Sequence, residues 1–454
     1  MNSSLIAKYN VAGPRYTSYP TVPYWDNNSF SLKRWKASLK KSFDETNSTN
    51  GVSLYIHLPF CESMCTFCGC HKRITKNHKV EIPYIESLIA EFKLYKDFLG
   101  ETPNIKELHI GGGTPTFFKP ENITVLLNAI SRIGKFSNNC ELSFEGHPNN
   151  TTKEHLKMFA GFKFTRVSYG VQDYNLKVQK AIHRIQPFEN VKKVTEYSRA
   201  EGFTSIGHDI IFGLPYQTVE DVINTINKTI TLMPERIAFY SYAHVPWIKG
   251  NGQRGYNEKD LPTATQKRLQ YEKGKQMLLE AGYFEIGMDH FSLSKDSLYQ
   301  AHKNKKLHRN FMGYTVTNTK VMIGLGASAI SDSWYGFAQN EKGVESYKSL
   351  VHEGVIPVFR GHILNEEDLI IRKHILNLMC KFETSWNDAT LCFNELPDVL
   401  IKLKELEKDG LIKIEAKSIY VTEKGKPFVR NVCLPFDRRL QRNKPETQVF
   451  SMTV

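Results

Sequence analysis

Short β-rich runs alternate with helical stretches along the first half of this chain, and that alternation constrains its fold more than any other feature. The runs are Ser53–Leu58, Glu107–Ile110, Glu141–Glu145, Arg166–Tyr169, Ile206–Phe212 and Arg236–Ser241, most of them about 30 to 40 residues apart. Helical periodicity fills the gaps, from Ile82 to Leu99 and from Pro120 to Gly134 for example. Consecutive strands separated by helices must run parallel, because the chain has to cross back over the sheet between them. Six such units predict an α/β protein built on a full or partial (β/α) barrel. Polar or glycine-rich residues follow each predicted strand, and in such barrels the C-terminal strand ends carry the chemistry. A hydrophobic content of 41% in 454 residues is enough to bury a core of that size.

The flanks read differently. Residues 1–50 form an irregular, partly helical lead-in that contains Gly13-Pro-Arg-Tyr-Thr-Ser-Tyr-Pro-Thr21, either a docked linker or a cover over an active site. Residues 51–365 hold the strand–helix alternation, with later apolar runs at Gly287–Phe291 and Val321–Ile330. In residues 366–454, Glu366–Phe382 and Leu396–Lys408 read as amphipathic helices, and Gly410–Glu415 with Ser418–Thr422 as a hairpin, a small, mainly helical, winged-helix-like domain. The net charge of +13 suits an anionic partner: nucleic acid, a membrane surface or a polycarboxylate substrate. Residues 410–430 carry no concentrated Arg/Lys surface, so nucleic acid is not expected. The short basic runs Lys303–Lys306 and Asp437–Arg442 read as solvated faces. No apolar run reaches the roughly 18 residues of a membrane span, and the N-terminus has no secretory core, so a cytosolic protein is expected.

Four of the eight cysteines fall within ten residues, Cys61, Cys65, Cys68 and Cys70, which in a cytosolic protein favours metal binding over disulfides. The C-x3-C-x2-C spacing of the first three can hold three irons of a cubane cluster and leave the fourth open to a ligand. A zinc knuckle closed by Cys70 or His71 is the alternative. Phe60 and Phe67 would shield a cluster from solvent. Cys140, Cys380, Cys392 and Cys433 are expected to be small buried hydrophobes. Gly111-Gly-Gly-Thr-Pro-Thr116 follows a predicted strand, where glycine permits close approach of backbone to a ligand or simply a tight turn. It is no P-loop, since no Gly-Lys-Ser/Thr follows. Gly324-Leu-Gly-Ala-Ser-Ala329 fits a dinucleotide fingerprint, but too late in the alternation for an NAD domain.

The cysteine motif and Gly-Gly-Gly-Thr-Pro-Thr together resemble the radical S-adenosylmethionine (SAM) superfamily. More narrowly, nearly the whole chain resembles the oxygen-independent coproporphyrinogen III oxidase family. The resemblance extends over Gly13-Pro-Arg-Tyr-Thr-Ser-Tyr-Pro, Cys-Gly-Cys70, Gly170-Val-Gln-Asp173, Ile211-Phe-Gly-Leu-Pro215, Tyr242-Ala-His244, Gly287-Met-Asp-His-Phe291, His308-Arg-Asn-Phe311 and Gly326-Ala-Ser-Ala-Ile330. It implies a partial (β/α) radical-SAM barrel with extra strands, a [4Fe-4S] cluster with one open iron, and two SAM molecules. By that resemblance Cys61, Cys65 and Cys68 ligate the cluster, and Cys70 matches a cysteine needed for activity without binding iron. Tyr55, Gly112, Glu145 and Ile330 match contacts of the first SAM; Phe67, Gly113, Thr114, Gln172, Arg184, Asp209 and Ala243 match those of the second. The implied reaction takes hydrogen from a propionate β-carbon of coproporphyrinogen III, then loses CO2 and one electron to leave a vinyl group. Two propionates react, giving protoporphyrinogen IX. The substrate carries four carboxylates, and Arg15 is a candidate to hold one. A low-potential, flavodoxin- or ferredoxin-like electron donor and a monomeric enzyme are also expected. Where several family members read Glu-x-Asp-Pro, this chain reads Glu145-Gly-His147-Pro, which leaves the role of position 147 open.

Overall fold

Near-continuous apolar runs place the first strand, Val52–Leu58 (β1), at the centre of a sheet covered on both faces. The computed structural model describes residues 3–246, 252, 253 and 255–453. In it β1 is followed by Asn104–Gly112 (β2), Lys135–Gly146 (β3), Arg166–Gln172 (β4), Ser205–Phe212 (β5) and Arg236–Ser241 (β6). Each pairs in parallel with its predecessor in chain order. The helices between them pack on the outside. Pro120–Ile133, for example, starts with Pro at its first position and turns Ile123, Leu126, Leu127 and Ile130 inward at helical spacing. The expected partial barrel is therefore present.

Extra strands widen it on both sides. Phe284–Gly287 (β7) and His290–Ser292 (β8) add an antiparallel pair beyond β6. Val321–Leu325 (β9) lies parallel to β1, followed outward by the antiparallel Ile330–Asp332 (β10), Gly336–Asn340 (β11) and Val358–Ile363 (β12). The order is β12-β11-β10-β9-β1-β2-β3-β4-β5-β6-β8-β7. Three strands run several residues longer than the sequence predicts, β4 among them, which continues past Tyr169 to pair Gly170 and Gln172 with Asp209 and Ile210 of β5. β2 continues through Gly111 and Gly112, which pair with His57 and Leu58 of β1. β3 begins at Lys135, because its polar start pairs with Asn104 and Ile105, a tertiary contact that local hydrophobicity does not register.

Two cores share the lead-in. The helix Leu32–Thr46, capped by Ser31, buries Trp35, Leu39 and Phe43 in the barrel core. Leu5, Tyr9, Tyr16 and Tyr19 instead join a second core with Ile371, Leu378, Leu403, Phe428 and Phe436. That second unit holds the helices Glu366–Lys381 and Leu396–Lys408 and the three-stranded sheet of Glu383–Ser385 (β13), Ile412–Glu415 (β14) and Ser418–Val421 (β15). Arg430 ties the two ends of the chain to it, donating from Nε to Pro14 O (2.9 Å), from Nη1 to Met452 O (3.0 Å), and from Nη2 to Gly13 O. No helix among the described residues is long and apolar enough to cross a membrane.

Candidate active site

The cysteine loop leaves β1 at the C-terminal mouth of the barrel, and the glycine run at the end of β2 holds its root. Gly113 N donates to Leu58 O (2.8 Å) and Thr114 N to Phe60 O (3.0 Å). A Cβ at Gly112, where φ is +119°, would meet the His57 ring at 2.9 Å; one at Gly113 would meet the Pro59 backbone at 2.7 Å. Glycine is needed here for close approach of one loop to another. The late Gly324–Ala329 motif is equally structural: its Gly326 and Ala327 N–H groups go to Glu91 (2.8 Å) and the Tyr84 hydroxyl (2.8 Å).

A cavity of about 600 Å³ opens inside this mouth. Cys61, Cys65, Cys68 and Cys70 line one side, with Phe67. Gly112, Gly113 and Thr114 form the wall next to them, and Glu145, Gln172, Arg184 and Asp209 come from β3, β4, the loop after the short helix Leu176–Ala181, and β5. The strand alternation thus brings twelve residues singled out from the sequence around one volume. Four others stand outside its lining. Tyr55 lies beneath, its hydroxyl 3.0 Å from His57 Nδ1 and its ring stacked on His109 at 6.1 Å. Ile330 packs its carbonyl against Gly324, the residue opposite Tyr55 in the β1–β9 register. Ala243 is joined to Phe67 through Gln253, whose Nε2 donates to both carbonyls at 3.1 Å. Arg15 reaches Ser241 O (3.1 Å) and Asp289 (3.3 Å).

The electrostatics divide the cavity. On the sulfur side, the Cys61 thiol is pushed up to about 11 by burial, while the neighbouring Cys70 thiol holds Cys68 below the ordinary thiol range. Lys72 donates to the Cys68 carbonyl (3.1 Å). A zinc ion would need four ligands on one point. Among the described residues no three His, Cys, Asp or Glu side chains converge in that way. A cubane takes each thiolate at a different iron, around a volume, and three soft sulfur donors on one loop fit that group.

On the oxygen side, burial alone would raise Glu145, but His109 Nε2 (3.4 Å) and Gly112 N (3.2 Å) hold its carboxyl below the ordinary range. Asp209 is pushed up to about 7 by burial and the neighbouring Glu145 charge, despite a bond from Ser168 Oγ (3.0 Å). Arg184 donates from Nη2 to Gly170 O (2.7 Å) and from Nη1 to Cys65 Sγ (3.8 Å), and its buried Nε has no partner among the described residues. A carboxylate ligand would complete it. His147 also lines the cavity: its Nδ1 accepts from Asn149 N (3.1 Å), which leaves the ring proton on Nε2, and burial and the Arg184 charge push it down to about 2.

His57, His109, Gln253 and Lys72 support the site but carry no motif that marks them. The contacts of His109 depend on cross-strand register, opposite Tyr55 on one side and Ser143 on the other. Among the scattered cysteines, Cys380 and Cys433 are buried as expected. Cys140 is only half-buried on the polar start of β3, and Cys392 is exposed in a loop, where no sheet or helix face covers it.

Comparison with known proteins matches residues 55–229 to the radical SAM superfamily. Over 444 residues the chain is 37% identical to the oxygen-independent coproporphyrinogen III oxidase of Helicobacter pylori, covering 96% of each chain. It is 35% identical to the Escherichia coli protein of the same name over 99% of this chain and 98% of that one. The solved structure of Escherichia coli coproporphyrinogen III oxidase, described as a radical SAM enzyme, superposes with a TM-score of 0.87 at 33% identity, over 96% of this chain and 98% of the other.

Proposed function

The chain belongs to the oxygen-independent coproporphyrinogen III oxidase family of radical SAM enzymes, and from that membership we propose that it converts two propionate side chains of coproporphyrinogen III to vinyl groups, giving protoporphyrinogen IX. The observation that carries the reading is the convergence of the cysteine loop, the glycine run and the strand-end carboxylates on one cavity at the barrel mouth. When bound, a [4Fe-4S] cluster and SAM supply a carbon radical able to take hydrogen from an unactivated C–H bond.

The protein's part is to bind, orient and exclude water. Cys61, Cys65 and Cys68 would hold the cluster, and Cys70 stands beside them in the cavity lining. Tyr55, Gly112, Glu145 and Ile330 serve the first SAM. Glu145, kept anionic by His109 and Gly112, suits an ammonium group. Phe67, Gly113, Thr114, Gln172, Arg184, Asp209 and Ala243 serve the second, with Arg184 offering its open Nε to a methionyl carboxylate. Arg15 releases Asp289 to take a substrate carboxylate. The enzyme works as a cytosolic monomer and draws electrons from a low-potential carrier. Anaerobic reconstitution with dithionite, SAM and coproporphyrinogen III tests this directly: protoporphyrin after oxidation is expected from the wild type. SAM cleavage without vinyl product would sink the substrate assignment.

A further inference from the structure

Directly behind the cluster loop lies a strip of surface that the reaction does not use. The two-residue strand Arg73–Ile74 pairs in parallel with Phe60–Cys61, putting Ile74 opposite Cys61. Arg73 N donates to Pro59 O (2.8 Å) and Thr75 N to Cys61 O (2.9 Å). The outer side of this strand is solvent, and Ile74 is 43% exposed. One strand spacing, about 4.8 Å, separates the backbone of a cluster cysteine from the protein surface.

The same strip is basic. Lys76 and Lys79 are exposed and have no carboxylate partner among the described residues. Arg73 pairs with Glu345 at its edge, and Glu62 is engaged by Asn150 (3.1 Å) and lies 3.8 Å from His78. The uncommitted charge is therefore positive, around one exposed aliphatic side chain. An apolar centre with a charged rim is the anatomy of a small, transient interface.

We propose that the Arg73–Lys79 strip is the docking surface for an acidic, low-potential one-electron carrier protein, with the electron entering at Cys61. The carrier loses one electron and the cluster gains it, so nothing else is consumed. The lysines steer the encounter, Ile74 seats it, and the hydrogen bond from Thr75 to Cys61 O links the contact to the ligand backbone. The inference rests on the radical SAM reading of the cysteine loop.

The test uses the reconstituted holoenzyme and a reduced bacterial flavodoxin, an acidic carrier. Stopped-flow bleaching of the cluster gives the reduction rate, and calorimetry with the oxidised carrier gives the affinity. Lys76→Glu/Lys79→Glu is expected to slow reduction by flavodoxin about tenfold at low ionic strength. The gap closes as salt rises. Ile74→Gln weakens binding at every salt concentration. Dithionite, which needs no docking, reduces all of these at the wild-type rate, and Lys303→Glu/Lys306→Glu, with the same charge change in another basic run, behaves as wild type. Flavodoxin reducing the double variant at the wild-type rate, or the control pair slowing equally, overturns the proposal. If the double variant also slows with dithionite, Lys76→Gln/Lys79→Gln is judged by the same criterion. Normal carrier-driven reduction without vinyl product would leave the docking surface standing and remove only the assigned reaction.

Discussion

Arg184 at the barrel mouth and Arg430 in the C-terminal unit are completed differently. Arg430 gives Nε, Nη1 and Nη2 to the carbonyls of Pro14, Met452 and Gly13, closing the two chain ends onto one core. Arg184 at the mouth donates to the Gly170 carbonyl, the Gln186 side-chain oxygen (3.3 Å) and the Cys65 sulfur, and keeps a buried Nε unpaired. The carboxylates there follow the same rule: Asp209 accepts one hydroxyl, and nearby charge opposes its ionisation. A buried polar group left incomplete costs stability unless a ligand completes it. At this pair of arginines the open nitrogen faces the ligand cavity and the filled guanidinium holds the frame.

Cys65→Ser breaks the comparison hardest. It removes a soft donor from a loop already anchored by backbone bonds to the glycine run, so the fold persists while the cluster does not. Iron and sulfide content after anaerobic reconstitution should fall, and SAM cleavage should drop at least 100-fold with an unchanged circular dichroism spectrum. Loss of the fold itself would show that the mouth is part of the frame. Arg430→Met is the mirror experiment. It strands three carbonyls at about 1 kcal/mol each, roughly 3 kcal/mol in all, and lowers the thermal midpoint by several degrees. Cluster content after reconstitution should match the wild type. Retained stability would mean that water replaces the guanidinium, and the contrast between the regions would fail.

The two carboxylates of the mouth sharpen the comparison with opposite pH signatures. Asp209 has a folded pKa of about 7, above the ordinary aspartate range, so its contribution is full at low pH and is lost as pH rises from about 4 toward 7. Glu145 is held low, so its contribution is present above the ordinary range and is lost on acidification. Thermal midpoints of ligand-free wild type and Asp209→Asn, compared across pH 4 to 8, should differ in slope between 4 and 7. Parallel curves would mean that Asp209 titrates normally and is already satisfied.

What could be read from the sequence follows the same division. Each of the six barrel strands carries its apolar run locally, so the alternation was visible, and the cysteine loop and glycine run are contiguous motifs whose spacing is their chemistry. The supporting shell is not contiguous. His109 matters because β2 puts it between Tyr55 and Ser143, and Gln253 because it joins the carbonyls of Phe67 and Ala243. Neither placement has a local signature. The division of the lead-in between two cores was equally hidden, because Tyr16 and Tyr19 find their partners beyond residue 365.

Position 147 gives the smallest effect and the finest test. His147 is a neutral ring whose Nδ1 is taken by Asn149 N, so it offers the cavity a single N–H donor beside Arg184. His147→Asp puts a carboxylate next to that guanidinium. The new acid competes with a ligand carboxylate for Arg184, and an ion pair in a partly wet site is worth up to about 1 kcal/mol. SAM affinity measured by calorimetry should therefore weaken by no more than about fivefold, with no change in the thermal midpoint of the ligand-free protein. A larger loss would make the His147 donor itself part of the binding site. Tighter binding would mean that Arg184 needs a resident carboxylate to be positioned, and that incomplete bonding at the mouth is not what recognises the ligand.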